Sequence, residues 1–168
     1  MRPSALALAA SLLATPALAG PSVQLGDQIN VSSVGVVGSP VTLSAPITAD
    51  TIAGPIILET SVGTLVTWCM DLYHYIYLGS GQNLPYAIGG VTSTYAPGAN
   101  ALTALQSQEL QGLATYGEQL YNSGTATNDQ LAAVQIAIWS IEAPNLAYTG
   151  ADSALAAADV AMAPTLTG

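Results

Sequence analysis

The chain has 168 residues, of which 51% are hydrophobic and 7% charged, and it carries one Lys or Arg against ten Asp and Glu. Charged residues usually make up about 25% of a globular chain, but the high apolar content predicts a folded protein rather than a charge-driven disordered one. Because nucleic-acid binding depends on cationic neutralisation of phosphates, this composition excludes nucleic acid as a partner and argues against adhesion to an anionic membrane.

The N-terminus has the pattern of a secretory signal peptide over residues 1–19. Arg2 supplies a positive start, residues 5–13 are apolar except for Ser11, and Ala17-Leu18-Ala19 is an A-x-A cleavage site. A retained anchor is the weaker interpretation, because a membrane span needs about 20 apolar residues. We therefore expect a secreted or extracytoplasmic protein, at the cell surface or released, with residues 20–168 forming a single domain without a membrane span.

Residues 22–96 favour short strands, because Val, Ile, Thr and Tyr occur in runs broken by Gly and Pro. We predict strands over residues 28–37, 41–45, 55–59 and 63–78, with turns at 38–40, 53–55 and 79–81. Strands at this spacing are typical of a β-sandwich or barrel.

After residue 98 the apolar period changes to that of a helix. A first helix carries an apolar stripe of Leu102, Leu105, Leu113, Tyr116 and Leu120 and ends near residues 122–124. A second begins at a capping box formed by Thr127 and Gln130 and ends before Pro144. A third, Ala-rich helix spans residues 152–162 and ends at Pro164. The predicted fold class is therefore α+β, with a β-sandwich or barrel half followed by a helical half of about three helices.

The only cysteine, Cys69, lies in the longest predicted strand. An intramolecular disulfide is impossible, so the thiol is buried, paired with another chain or chemically committed elsewhere. On a pleated strand one face carries Cys69, Asp71, Tyr73, Tyr75 and Tyr77, and the other carries Met70, Leu72 and His74. A cysteine hydrolase or transpeptidase needs a histidine on the face of Cys69, so that reading is disfavoured. A core role for His74 fits the pattern better, and the tyrosine row is either a glycan-stacking platform or a packed sheet face.

The predicted second helix carries a glutamine beside its core stripe. Leu131, Val134, Ile138 and Ile141 form that stripe, and Gln135 lies at its edge, one turn before Trp139. We therefore expect the Gln135 amide to be directed at the protein rather than cleanly at water.

The segments Trp68-Cys69-Met70 and Gln135-Ile136-Ala137-Ile138-Trp139 resemble the thioester domains of bacterial surface proteins, and related exported proteins of Gram-negative bacteria that often carry a PEP-CTERM sorting tail. In that family an aromatic or Leu, then Cys, then an apolar residue lie on a strand, and a T-Q-x-A-apolar-W motif lies on a helix. Val134 stands where the family has Thr. Leu110-Gln111-Gly112-Leu113 matches a third motif loosely, and the resemblance covers roughly residues 65–142.

The resemblance implies that the Cys69 thiol attacks the Gln135 carboxamide, expels ammonia and leaves an internal thioester, with Asp71 and Trp139 in supporting roles. The thioester would acylate a lysine amine or a polysaccharide hydroxyl on a host, matrix or cell surface, once rather than in turnover. The resemblance thus implies a protein of adhesion or biofilm, not an enzyme, and the absence of Lys from the chain leaves no internal lysine amine to quench the bond.

The acidic residues show no metal-loop spacing, so we expect neither a metal nor a cofactor. The alternative function is that of a non-covalent extracellular structural or matrix protein in which Cys69 is a buried free cysteine.

Overall fold

The computed structural model describes residues 23–24, 26–73, 79–87 and 101–166. Over these residues the fold is α+β, with strands mostly before helices, as predicted. The strands are β1 (Gln28–Val36), β2 (Ser39–Ala45), β3 (Ala49–Ala53), β4 (Ile56–Thr60), β5 (Gly63–Thr67), β6 (Gly79–Ala87) and β7 (Ala147–Thr149); the helices are α1 (Ala104–Asn122), α2 (Asn128–Glu142) and α3 (Ser153–Met162), followed by a 3₁₀ turn, Ala163–Thr165. The predicted signal peptide, His74, Tyr75 and Tyr77 lie outside the described residues.

The strands form two antiparallel sheets. Four strands pair in the order β5-β4-β1-β6 and three in the order β3-β2-β7. Alternation of apolar and polar residues places one face of each sheet inside: Val41 and Leu43 of β2 are buried, whereas Thr42 between them is exposed. Strand β7 comes from the helical half, so the second sheet joins the two halves of the chain.

The strand predicted over residues 63–78 is confirmed for residues 63–67 and wrong for residues 68–73, and its last part, 74–78, lies outside the described residues. Its partner β4 begins at Ile56, which pairs with Thr67, and the preceding Pro55 has no amide hydrogen with which to extend the ladder. Residues 68–73 therefore run without regular structure, and Cys69 does not lie on a strand. The turn predicted at 79–81 is also wrong, because these residues begin β6.

The three predicted helices are confirmed to within about two residues. The predicted capping box of α2 is present: the Gln130 amide donates to Thr127 Oγ1 at 3.2 Å, and the Thr127 amide donates to Gln130 Oε1 at 2.9 Å. Helix α1 begins with a second box, of Thr103 and Gln106, that we did not predict. None of the described helices combines the length and the apolar character needed to cross a bilayer.

Helix α2 is the centre of the molecule. Each residue from Leu131 to Trp139 is buried, which marks a helix covered on all sides. One side packs against β2, β3 and α3, and the other packs against α1. The expectation that the Gln135 amide is directed at the protein is therefore confirmed, and the residue lies inside the core rather than at its edge, because its exposed fraction is 0%.

Candidate functional site

The irregular segment after β5 is held on both sides of α2. Trp68 and Met70 pack into the cluster between α1 and α2, whereas Cys69 and Leu72 pack against the cluster formed by β2, β3, α2 and α3. The predicted shared face of Met70 and Leu72 is thus wrong, because the chain leaves the strand conformation. Gly117 of α1 leaves room for Trp68: a Cβ at this position would lie 2.3 Å from the indole ring.

Gln135 binds the backbone of Cys69 in both directions. Its Nε2 donates to the Cys69 carbonyl at 2.7 Å, and the Cys69 amide donates to its Oε1 at 3.0 Å. The side-chain amide makes the hydrogen bonds that a neighbouring strand would make, because the Cys69 backbone N–H and C=O have no partner in a β-ladder. A fully buried amide is tolerated in a core only when such bonds are made. Two residues 66 positions apart in the chain are thereby joined.

The Cys69 thiol is half-buried and donates to the Asp71 carbonyl at 3.2 Å. Burial is the largest influence on its pKa and raises it. The hydrogen bond to Asp71 opposes this rise, the charges of Asp71 and Glu142 add to it, and the Trp139 indole lowers the pKa least. The thiol therefore stays protonated at neutral pH, unlike the low-pKa thiolate typical of turnover cysteines.

Asp71 shapes the turn that follows Cys69. Its carbonyl accepts the thiol hydrogen, and its side-chain Oδ1 accepts from the Tyr73 amide at 2.8 Å, as in an Asx turn. The residue therefore orients the sulfur through its backbone while its carboxyl fixes the next two residues.

Trp139 contributes a buried indole to the cluster of Cys69 and Gln135. Its side chain is 4% exposed, and Nε1 has no hydrogen-bond partner among the described residues. Trp139 and Cys69 line the same cavity, and the indole is the smallest of the influences on the pKa of the Cys69 thiol, which it lowers. Buried N–H groups without an acceptor are rare, so this donor is available to an acceptor that forms beside Cys69.

A cavity of about 280 Å³ reaches this cluster, with Cys69, Gln135 and Trp139 among its lining residues. Its other lining residues include the apolar side chains of Val36, Leu43, Ile47, Ile56 and Leu72, and the acidic side chains of Asp50 and Asp71. The volume corresponds to roughly nine water molecules. The cavity is thus suited to a single side chain with an apolar stem. Asp50 and Asp71 make its lining negative, and the chain has no Lys and only one Arg, Arg2, to balance them.

Glu142, the last residue of α2, is a functional candidate that we did not predict. It is half-buried, and its Oε1 atom is buried without a hydrogen-bond partner among the described residues. Burial, and secondarily the charge of Asp71, raise the pKa of its carboxyl to about 7. A sequence signal exists, since Glu142 follows Gln135 by seven residues and Trp139 by three, which places all three on one helical face.

The four site residues that we predicted, Cys69, Asp71, Gln135 and Trp139, therefore lie together in one cluster. Gln111, of the loosely matched third motif, is exposed on α1 and lines a different groove with Trp68 and Met70. Within the described ranges no group of three or more His, Cys, Asp or Glu side chains is arranged to hold a metal ion. Comparison of the chain with family models, with curated proteins and with solved structures gave no match.

Proposed function

We propose that this chain is an exported protein that forms an internal thioester between Cys69 and Gln135 and uses it once to attach covalently to an amine or hydroxyl of an external surface, in adhesion or biofilm. The observation that carries the proposal is the pair of hydrogen bonds between the Gln135 amide and the Cys69 backbone. They hold the residue that carries the only thiol of the chain against a fully buried carboxamide.

The contacts of Gln135 suit attack on its carbonyl carbon. When the sulfur adds, negative charge develops on Oε1, which already accepts the Cys69 amide hydrogen. The unpaired indole N–H of Trp139 offers a second donor for this oxyanion. Donors positioned in this way stabilise tetrahedral intermediates of acyl transfer. The S–C bond forms, the C–N bond breaks, and the amide nitrogen leaves as ammonia.

The surroundings support storage of the bond and its later use. Gln135 is fully buried and Trp139 nearly so, which keeps water from the carbonyl. The cavity beside them admits one side chain, and the carboxyls of Asp50 and Asp71 attract a cationic amine more than a neutral hydroxyl. A protein amine on an alkyl stem is therefore the preferred target class.

One observation favours the alternative, a non-covalent structural protein with a buried free Cys69. Both polar ends of Gln135 are already satisfied by the Cys69 backbone, which is what a purely structural amide also achieves. A cysteine hydrolase is not supported, because burial raises the pKa of the thiol instead of favouring the thiolate.

Intact mass separates the two functions. The freshly purified wild-type protein is expected to be lighter than its sequence by one ammonia, and Cys69→Ala and Gln135→Ala should each lack this deficit. Methylamine should add at Gln135 of the wild type and free the Cys69 thiol for alkylation. Gln111→Ala, which changes an exposed glutamine of α1, is the matched control and should retain both properties. A wild-type mass equal to the plain sequence, with Cys69 alkylated only after denaturation, would support the structural alternative.

A further inference from the structure

Glu142 shares a helical face with the reacting amide. Gln135, Trp139 and Glu142 are spaced by four and three residues along α2, so their side chains project from one side. Side chains in helices lean toward the N-terminus, which directs the Glu142 carboxyl back toward the turn that carries Trp139.

The Glu142 carboxyl has an unusual environment for an acid. One of its oxygens is buried with no donor among the described residues. The chain has no Lys, and its only Arg, Arg2, lies in the predicted signal peptide. A buried carboxylate oxygen without a donor is costly, so this carboxyl readily takes up a proton, and its pKa is about 7.

The charge of Glu142 is coupled to the reaction site. Its negative charge acts on the Cys69 thiol, and the charge of Asp71 acts on both groups. The acids on the other elements packed against α2 do not contribute to the raised pKa of Glu142: Asp50 on β3, Glu109 on α1 and Asp159 on α3. The only histidine, His74, lies outside the described residues.

The proposed chemistry needs a group that accepts and returns a proton. The Cys69 thiol is protonated at neutral pH, so it must lose its proton to attack, while the departing amide nitrogen must gain one to leave as ammonia. In the second step the incoming amine loses a proton and the departing sulfur gains one.

Resting on the function proposed above, we propose that the Glu142 carboxyl carries these protons. In formation it takes the thiol proton, the S–C bond forms at Gln135, the C–N bond breaks, and the same proton goes to the leaving ammonia. In transfer it takes a proton from the attacking amine, the new C–N bond forms, the C–S bond breaks, and the proton returns to the Cys69 sulfur.

The carboxyls of the two neighbouring acids, Asp50 and Asp71, already accept hydrogen bonds. Asp71 Oδ1 holds the Tyr73 amide at 2.8 Å, and the exposed Asp50 accepts from the Thr42 hydroxyl at 2.7 Å. Glu142 alone among these three carboxyls has a buried oxygen without a partner among the described residues. That oxygen is free to receive a proton without breaking a bond that shapes the site.

The test compares Glu142→Gln with the control Glu118→Gln, which changes an exposed acid of α1. The probe is methoxyamine, an amine whose own pKa lies below the measured pH range, so that only the protein titrates. The wild type and the control should react faster as pH rises through about 7, where the carboxyl loses its proton. Glu142→Gln should react about 10²–10⁴-fold more slowly, without this inflection, and added formate should restore part of the rate. A folded Glu142→Gln protein that never acquires the ammonia deficit would also support the proposal, since formation uses the same carboxyl.

Three outcomes contradict the proposal, and the first two differ in whether the proposed thioester function survives. If Glu142→Gln shows the ammonia deficit and reacts at the wild-type rate with the wild-type pH profile, Glu142 carries no proton and the proposed thioester function stands. If the wild type itself lacks the deficit, the function fails and this inference fails with it. Glu142→Asp provides the second variant should Glu142→Gln not fold: it keeps a carboxyl one methylene shorter, and it should retain the inflection at a lower rate. An Asp variant without an inflection but with the wild-type rate would contradict the proposal.

Discussion

Cys69→Ala and Gln135→Ala should both abolish the proposed thioester, but Gln135→Ala should destabilise the fold more. Cys69→Ala removes one sulfur atom and its bond to the Asp71 carbonyl but leaves the Cys69 backbone bonded to Gln135. We expect it to cost about 1 kcal/mol of packing. Gln135→Ala removes both bonds to the Cys69 backbone and empties a fully buried site. The two groups left unsatisfied cost about 1–3 kcal/mol each, so Gln135→Ala should be less stable than Cys69→Ala by about 1–5 kcal/mol.

Urea denaturation of the two variants measures this difference directly. Neither variant can form the cross-link, so the entropy of closing the loop between the residues cancels in the comparison. The slopes of the two unfolding transitions should agree, which allows the midpoints to be converted to free energies. Stabilities equal within about 0.5 kcal/mol would show that the Gln135 amide does not hold the Cys69 segment, and the geometry on which the site rests would be refuted.

Four other predictions follow from the same contacts. Methylamine treatment of the wild type should lower its free energy of unfolding by about 4 kcal/mol, because it would open the proposed cross-link between residues 66 positions apart; an unchanged urea midpoint would count against the cross-link. Trp139→Phe removes the unpaired indole N–H and should slow amine uptake by about 10-fold or more, whereas an unchanged rate would remove the indole from the oxyanion role. Gly117→Ala places a Cβ against the Trp68 ring and should cost about 1–3 kcal/mol, measured by urea denaturation; no loss would mean that the ring moves freely. Asp159→Asn should stabilise the fold at neutral pH, because burial raises the pKa of this carboxyl and stability falls as pH rises through that value; the gain over wild type should vanish below the ordinary pKa of a carboxyl, and a gain persisting there would contradict the linkage.

The helical half was readable from the sequence because its signals are local. A capping box is a contact between residues three apart, so Thr127 and Gln130 fixed the start of α2 without knowledge of the fold. The first strands were readable for a similar reason, since alternation around Val41 and Leu43 reflects one buried face.

The end of β5 was not readable, because a non-local pairing determines it. Residues 68–73 continue the β-type composition of the preceding strand, but their partner strand begins at Ile56 behind a proline. The same limit explains β7, whose three residues are a strand only because β2 lies beside them. Amino-acid composition indicates which backbone conformations a segment tolerates, whereas a β-strand forms only where a partner strand lies beside it.

The resemblance led us to expect Cys69 and Gln135 close together, but not the two hydrogen bonds between the Gln135 amide and the Cys69 backbone. A helical-wheel projection places Gln135 at the edge of the stripe because it counts only the apolar positions. In the structure the irregular segment and α1 cover the flanks of α2, so the amide is enclosed. The role of Glu142 was not predicted, because an acidic residue at the end of a helix is ordinarily solvated. Only tertiary packing buries one of its carboxylate oxygens.

The order of folding and chemistry follows from this arrangement. Cys69 and Gln135 lie 66 residues apart and meet only when α2 has packed against the segment after β5. In the unfolded chain the thiol and amide are brought together no more often than any pair at that separation, and the donors on Oε1 are absent. The proposed thioester would therefore form only after the native core, in a protein that has already folded. The bond would then restrain the same two elements whose packing brings its residues together, so the proposed cross-link and the core around α2 would stabilise one another.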